Sequence, residues 1–373
     1  MKLVVERADL HRAVDPAVKV IQRRNTIPVL NNIMLTAKGG ELTVTGTDLD
    51  IEIRTTVGAD VEADGAVTVP ADQFADLIGR FPDGSQVALQ IEQDTRLSIR
   101  CGRSLSRLPT RPADEYPDIT PGDMTHRFEL QAEILSALLR DTLFAASREP
   151  TQPLFNGVHL HQTQTEEGAF LTAVGTDVSR MLARRITPLP DGAEGFPAIT
   201  IPVKTVSEIT RLVDKNKGEV AIALCANKIR VVIGATILTS NLSTGTFPNY
   251  SRVIPMDVPH EVTVEAAALL SAVERVKIIA DSDKVRSTVF AFEDRKLTLT
   301  MANQASGDLR EEVPCDFEGE PFSLGFDHRY LSKLLAVIGG DTVLMRIGGK
   351  EANTVFSTRE GSELFVMLAP MKA

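Results

Sequence analysis

Cysteine is scarce in this sequence. Only Cys101, Cys225 and Cys315 occur among 373 residues, far apart and never as a C-x-x-C pair. That spacing excludes the common zinc patterns and a disulfide framework, and it reads the three as small hydrophobes. Long apolar runs are missing too. None approaches the roughly 18 residues that a membrane-spanning helix requires, and the N-terminal MKLVVERADL leads straight into a strand without a signal-peptide core. The expectation is a cytoplasmic protein with no membrane partner. A basic excess is also lacking, since 40 Lys and Arg face 50 Asp and Glu for a net charge of -10. Chains that grip nucleic acid by charge usually carry a basic surplus, so any contact with DNA must be local or must not rest on affinity.

Catalytic signatures are equally absent. There is no G-x-S-x-G, P-loop or G-x-G-x-x-G, and the six histidines show no ligand spacing. Asp48, Asp50 and Glu52 alternate along one strand and could together hold Mg2+. The corresponding positions further along are Asp177, Ser179 and Met181, so a metal site there has no echo and a solvated strand face is the simpler reading. Neither a cofactor nor a reaction is expected.

What is present is repetition. LTVTGTDLDIEIRTTV from Leu42 returns as LTAVGTDVSRMLARRI from Leu171, and more faintly as LTLTMANQASGDLREEV from Leu297. Downstream of each copy, from Val69, Ile201 and Gly325, the pattern is a strand end, a short amphipathic helix, a turn and a strand. Upstream, VVERADLHRAV, ELQAEILSALL and VEAAALLSAV each lead a strand into a helix, with Leu10, Ile134 and Leu269 aligned. The period is roughly 125 to 130 residues, the scale of a domain. Three domains follow, at 1–122, 123–258 and 259–373. Phe247-Pro248-Asn249-Tyr250 near the end of the second parallels Glu115-Tyr116-Pro117-Asp118 near the end of the first.

Each domain should carry two helices. The expected spans are from Ala8 with a kink or restart at Pro16, Ala71–Arg80, Ala132–Ala145 with Ile134, Leu135 and Leu138 inward, Lys204–Asp214, Ala266–Ala280 and Asp327–Ile338. Apolar parity switches at Gly46-Thr47-Asp48, so Leu42–Ile53 reads as two short strands joined by a tight turn. Lys and Arg recur on the polar sides of the helices, with Arg275, Lys277, His328, Arg329 and Lys333 in the third domain. Repeats set around an axis would gather those faces on one surface attractive to phosphate. A Met-rich apolar set, Arg180-Met181-Leu182, Pro248 and Met367 to Met371, reads either as core or as a pocket for several partner peptides.

The segments RRNTIPVLNNIML, LTVTGTDLDIEI, FNGVHLH, VGTDVSRML, FPNYSRVIP and the late APM occur in order along the whole chain. On these segments the chain resembles the bacterial DNA polymerase III beta subunit family, the sliding clamps. The resemblance implies an α+β fold of three repeated domains of the DNA-clamp type, each with two helices on antiparallel sheets. It implies a head-to-tail homodimer ring that encircles duplex DNA, confers processivity and catalyses nothing. The implied partners are the replicative polymerase alpha subunit, an ATP-driven clamp loader, and other polymerases and repair proteins with clamp-binding motifs. A peptide-binding scaffold that does not encircle DNA is the alternative.

Transferred position by position, the family's peptide pocket falls on Phe155, Thr176, Val178, Ser179, Arg180, Met181, Pro248, Arg252, Val253, Met367, Leu368, Pro370 and Met371. DNA contacts fall on Arg24, Arg148, Gln152 and Lys204, and the dimer contact on Leu108, Ile278 and Ile279. The chain departs from the family pattern at Val178-Ser179, where relatives often have Gly-His, and at Ser106, where a relative can carry Phe.

Overall fold

The structure is a computed structural model of the chain, described here for all residues except 23–25, 93–95, 120–121, 150, 281–286, 304–306, 350, 359–362 and 372–373. The first repeat runs β1 (Lys2–Glu6), α1 (Arg7–Val20), β2 (Asn32–Lys38), β3 (Glu41–Thr47), β4 (Ile51–Gly58), β5 (Asp60–Ala63), β6 (Gly65–Pro70), α2 (Ala71–Gly79), β7 (Gln86–Glu92), β8 (Arg96–Cys101) and β9 (Ser104–Pro109). The second, without a counterpart of β5, runs β10 (His126–Gln131), α3 (Ala132–Leu143), β11 (Gly157–Thr165), β12 (Gly168–Thr176), β13 (Met181–Pro188), β14 (Ile199–Pro202), α4 (Val203–Val213), β15 (Glu219–Leu224), β16 (Lys228–Ile233) and β17 (Thr236–Asn241). The third follows the same order, with β18 (His260–Glu265), α5 (Ala266–Ala280), β19 (Ser287–Glu293), β20 (Lys296–Asn303), β21 (Gly307–Pro314), β22 (Phe322–Asp327), α6 (His328–Ile338), β23 (Thr342–Ile347), β24 (Thr354–Thr358) and β25 (Leu364–Leu368).

The strands do not stay within their repeats. One eight-stranded sheet has the order β10-β15-β16-β17-β4-β3-β2-β6, and another the order β14-β11-β12-β13-β25-β24-β23-β18. Each is two four-stranded halves from successive repeats, joined antiparallel at β17·β4 or β13·β25. A five-stranded sheet β5-β1-β7-β8-β9 and a four-stranded sheet β21-β20-β19-β22 belong to the first and third repeats alone. By contacts the chain divides into two compact units, one of residues 1–136, 190–197 and 207–242, the other of 137–189, 198–206 and 243–373. The dividing line runs through the middle repeat, because its two half-sheets are each welded to a neighbour's.

In the first unit α1 and α2 pack on β-sheet through Leu10, Val14, Ala17, Phe74 and Ile78, all buried. The helix α1 is assigned without a break across Pro16, so the expected restart does not occur. Pro16 removes one backbone donor, but its ring is itself buried in the helix's inner face, and that burial offsets the loss. In the second unit α5 and α6 pack through Leu269, Val273, Val276, Leu331 and Leu334 against Phe290, Phe292, Phe326 and Phe356.

Two sequence assignments are corrected. Ile134 is 38 % exposed, whereas Leu135 is 3 % exposed. Counted from the first helical residue, the fourth position is Leu10, Leu135 and Leu269, so the alignment on Ile134 is one residue out of phase. His328 is buried at 3 % rather than on a polar side, because it opens α6 directly after the capping residue Asp327, whose carboxylate accepts from the Arg329 amide.

The Gly-Thr-Asp signature has a separate cause at each residue. Within the first unit a Cβ on Gly46 would lie 2.1 Å from the Ala17 carbonyl oxygen of α1. Within the second a Cβ on Gly175 would lie 1.9 Å from the Thr142 carbonyl oxygen of α3. Only hydrogen fits, so a helix rests directly on strand backbone. In the third repeat the matching residue is Met301, 1 % exposed, so a buried side chain stands there where the first two repeats admit only hydrogen.

Candidate functional site

The candidate site starts from the turn that Thr and Asp build after that glycine. Between β12 and β13, Asp177 Oδ1 accepts from the amides of Arg180 at 2.9 Å and Met181 at 2.8 Å. Thr176 Oγ1 donates to the Met181 carbonyl at 2.8 Å and accepts from the Val178 amide at 3.0 Å. Val178 is thereby held at φ 71°, a left-handed conformation unfavourable for a β-branched residue, and its side chain is 56 % exposed. The earlier copy repeats the device. Asp48 Oδ1 accepts from the amides of Asp50 and Ile51, Thr47 Oγ1 donates to the Ile51 carbonyl, and Leu49 sits at φ 81°. Asp48 is therefore a turn-former and Glu52 pairs with Arg54. Among the described residues no group of three or more His, Cys, Asp and Glu is arranged to hold a metal.

The expected peptide residues divide between the two faces of the β13·β25 junction. Strand alternation puts Met367, opposite Leu182, in a cluster with Val174, Val355 and Phe365 that packs against Phe247, Tyr250 and Ile254. Leu368, opposite Met181, faces the helix-covered core. Leu368 at 0 % and Met181 at 3 % exposure support the site from beneath more than they offer surface. The tail is fixed by backbone bonds, Ala369 donating to the Arg180 carbonyl and Met371 to that of Gly325, both at 2.7 Å. That leaves Pro370 and Met371 half-buried. The Ser147 amide donates to the carbonyls of both Phe155 and Thr176, drawing those two segments together. Phe155 meets Phe247 edge-on at 5.6 Å. Pro248, Arg252 and Val253 are exposed beside them, and the Val253 carbonyl accepts from Asn353.

Next to the turn lies a cleft of about 480 Å3 lined by Arg148, Gln152, Val178, Ser179, Met181, Tyr330 and Lys333, among others. Two residues assigned to DNA and three assigned to peptide thus share one cleft. Tyr330 was missed by sequence reading. Its hydroxyl donates to Asp177 Oδ2 at 2.7 Å, and burial together with that carboxylate pushes its pKa up to about 12. No local pattern signals it, because α6 reaches the turn only through the fold.

Behind Phe247 stand two histidines on β11. His159 stacks on Phe247 with ring centroids 4.2 Å apart and contacts Thr200 Oγ1 through Nδ1. His161 Nε2 lies 3.0 Å from the Tyr250 hydroxyl. Burial, then the neighbouring His161, lowers the pKa of His159 to about 4, and burial lowers that of His161. Both rings are neutral packing elements at pH 7.

Of the remaining expectations, Arg24 lies outside the described residues. Arg148 and Gln152 are exposed, and Lys204 is half-buried in the first turn of α4. Many helix cations are ion-paired: Arg12 with Asp9, Arg211 with Glu208 and Asp15, Arg275 with Glu311, Lys277 with Glu274 and Arg329 with Asp327. Such neutralised faces suit weak contacts. Leu108 on β9 packs partly on the first core. On α5, Ile278 is 74 % exposed, whereas Ile279 is partly buried.

Comparison with known proteins matches the chain in three successive pieces. Residues 1–120, 129–249 and 251–372 match the family models described as the N-terminal, central and C-terminal domains of the DNA polymerase III beta subunit. A beta sliding clamp from Caulobacter vibrioides is 37 % identical over 356 residues, covering 95 % of each chain. One from Haemophilus influenzae is 29 % identical over the full length of both. Among solved structures, a Caulobacter crescentus beta sliding clamp superposes with a TM-score of 0.97 at 36 % identity, covering 100 % of this chain and 99 % of that one. A sliding clamp from Bartonella birtlesii bound to griselimycin gives 0.96 at 32 % identity over the whole of both.

Proposed function

Because this chain belongs to the DNA polymerase III beta subunit family, the non-catalytic DNA sliding clamps, we propose that two copies close head to tail into a ring around duplex DNA. The observation that carries this reading is the pair of unused sheet edges. Twice within the chain the last strand of one repeat pairs with a strand of the repeat before it, at β17·β4 and β25·β13. In the same sense β9 corresponds to β17 and β25, and β21 to β4 and β13, and among the described residues these two edges have no partner strand. A bare edge presents a row of unpaired donors and acceptors. A third junction of the same kind, β21 of one copy with β9 of another, uses both edges, and applying it twice closes a cycle of two.

The internal ladders set the register. Ile53 lies opposite Leu238 and Ala183 opposite Val366, so Leu309 should lie opposite Ser106 of the second copy, and Asp308 opposite its Arg107. Leu108 lies on β9 itself, and α5, which carries the exposed Ile278 and the partly buried Ile279, packs on β21. The domain limits 1–122, 123–258 and 259–373 place the linkers between the repeats joined in this way.

Topological linkage explains how a chain of net charge -10 serves DNA: a closed ring needs no tight grip, and loose, wet phosphate contacts from Arg24, Arg148, Gln152 and Lys204 leave it free to slide. Peptides of the replicative polymerase alpha subunit, the clamp loader and other polymerases and repair proteins would dock on the residues around Val178, Met367 and Pro248. No helix of the described residues is long and apolar enough to cross a membrane, and we place the work in the cytoplasm with the chromosome. The test is retention on a nicked circular plasmid after loading with the loader and removal of free protein. Loss only on linearisation supports the ring. Equal retention on circle and line means direct gripping and overturns it.

A further inference from the structure

The repeats differ at one charged position in a way that points to a ligand. In the first unit Arg54 Nε lies 2.7 Å from Glu52, and Arg54 also donates to Asp118 at 2.5 Å, so two carboxylates hold this guanidinium. The strand registers make Arg184 its counterpart, since Gly46 faces Ile53 and Gly175 faces Ala183. Both acids are gone there. Leu182 stands at the Glu52 position, rather than the Met181 matched on sequence, because the turn between β12 and β13 is one residue longer than that between β3 and β4. Matching the prolines of Tyr116-Pro117-Asp118 and Phe247-Pro248-Asn249 puts Asn249 at the Asp118 position. This proline register is one residue from the parallel drawn on sequence alone.

The cation was kept where its partners were lost. Arg184 sits 4.4 Å over the Phe365 ring and hydrogen-bonds the Tyr250 hydroxyl. With Arg346 it lines a cleft of about 350 Å3 floored by Val355, Ser357 and Phe365 and bounded by Ile254 and Met256. The Nε atoms of Arg184 and Arg346 are buried without a hydrogen-bond partner. Neither residue forms an ion pair among the described residues, and Glu261, cross-strand from Arg346, does not reach it. A half-buried guanidinium without a carboxylate partner is costly, and two of them in a cleft lined by no acid favour an incoming anion. The cleft shares Val355, Phe365 and Ile254 with the apolar cluster around Met367, and Met256 on its rim is 96 % exposed.

We propose that this cleft is an anion subsite that receives the carboxylate of an acidic residue in a peptide docked on the adjoining apolar cluster. The inference rests on the peptide-docking reading above, and it commits to a peptide carboxylate because the cation pair and the apolar surface are contiguous. In the second repeat the partner supplies the acid that the first repeat supplies internally.

The test uses the full-length protein and fluorescence anisotropy at low ionic strength with two labelled peptides, Glu-Gly-Leu-Phe-Gly-Glu and its twin with Gln for both Glu. The Glu peptide should bind about tenfold more tightly, the usual scale of a charge-assisted contact. Arg184→Gln should abolish the difference. Asn249→Asp should also reduce it, by restoring an internal acid at the Asp118 position while still accepting from the Ser251 amide as Asn249 does; this variant does not threaten the fold. Equal binding of both peptides to the wild type overturns the subsite and leaves peptide docking intact. Binding of neither overturns the docking reading and the subsite with it. Displacement of both peptides alike by inorganic phosphate makes the cleft a general anion site and overturns the peptide assignment.

Discussion

The carbonyl oxygen of Thr142 occupies the space where a side chain at Gly175 would begin, 1.9 Å from an ideal Cβ. This approach lets α3 rest on β12 directly beside the turn that carries Asp177 and Val178, so the placement of the candidate site depends on a hydrogen atom at residue 175.

Gly175→Ala should therefore destabilise the protein by about 2–3 kcal/mol, because backbone must move to admit a methyl group. Gly58→Ala, where a Cβ meets nothing within 4 Å, should change stability by no more than about 0.5 kcal/mol. Urea unfolding of both variants measures the contrast, and equal midpoints would refute the close-packing argument.

Val178→Gly should separate strain from binding. Glycine accepts φ 71° without a Cβ clash, so the fold should hold or gain up to about 1 kcal/mol. The exposed isopropyl group is lost at the same time, and affinity for an apolar peptide should fall several-fold. Thermal melts and anisotropy on one preparation read both; a destabilised variant with unchanged binding contradicts the proposal.

Acid should loosen the segment that carries Pro248 and Val253. His159 titrates near pH 4 when folded and near 6.5 when unfolded, so between these values the unfolded chain binds more protons and stability falls as pH falls. The loss begins below about pH 6.5 and is complete below about pH 4, at most about 3 kcal/mol for this residue. His159→Gln should flatten the corresponding part of the pH–stability curve, measured by denaturant midpoints across that range. A curve as steep as the wild type's would mean that the carboxylates account for it.

Cysteines at Ser106 and Leu309 should cross-link two copies under mild oxidation only when both are present, because the inferred ladder places them opposite each other. Ile278→Ala combined with Ile279→Ala should shift the mass in light scattering from dimer to monomer. An unchanged mass, or cross-linking instead through Leu105 and Leu309, would refute the contact or its register.

The sequence carried the three-repeat plan because the copies share residues whose physical jobs are local. In the first two the glycine admits a helix and Thr and Asp close the turn, and in all three the fourth helical residue fills the core. Local signals are weakest in phase, which explains the misplaced Ile134. In the apolar stretch Ile134-Leu135 periodicity alone does not say which neighbour turns inward; the helix start at Ala132 does. A restart at Pro16 is not needed for a related reason: propensity counts a lost donor, whereas packing counts a buried ring.

The candidate site was legible in part. Val178 and Ser179 surface beside Arg148 and Gln152 as one cleft, but Tyr330 and the pairing of β13 with β25 join residues more than a hundred positions apart, and no local pattern encodes such a meeting. Alternation in Leu364–Leu368 shows that Met367 and Leu368 point to opposite faces, without saying which face meets Phe247. What the sequence by itself determined is the repeat, its turns and the family. The tertiary structure alone decided which edges are taken and which are bare, and which cation lost its acids. Both depend on pairing between distant strands, where hydrogen bonds and charge are satisfied across the fold rather than along the chain.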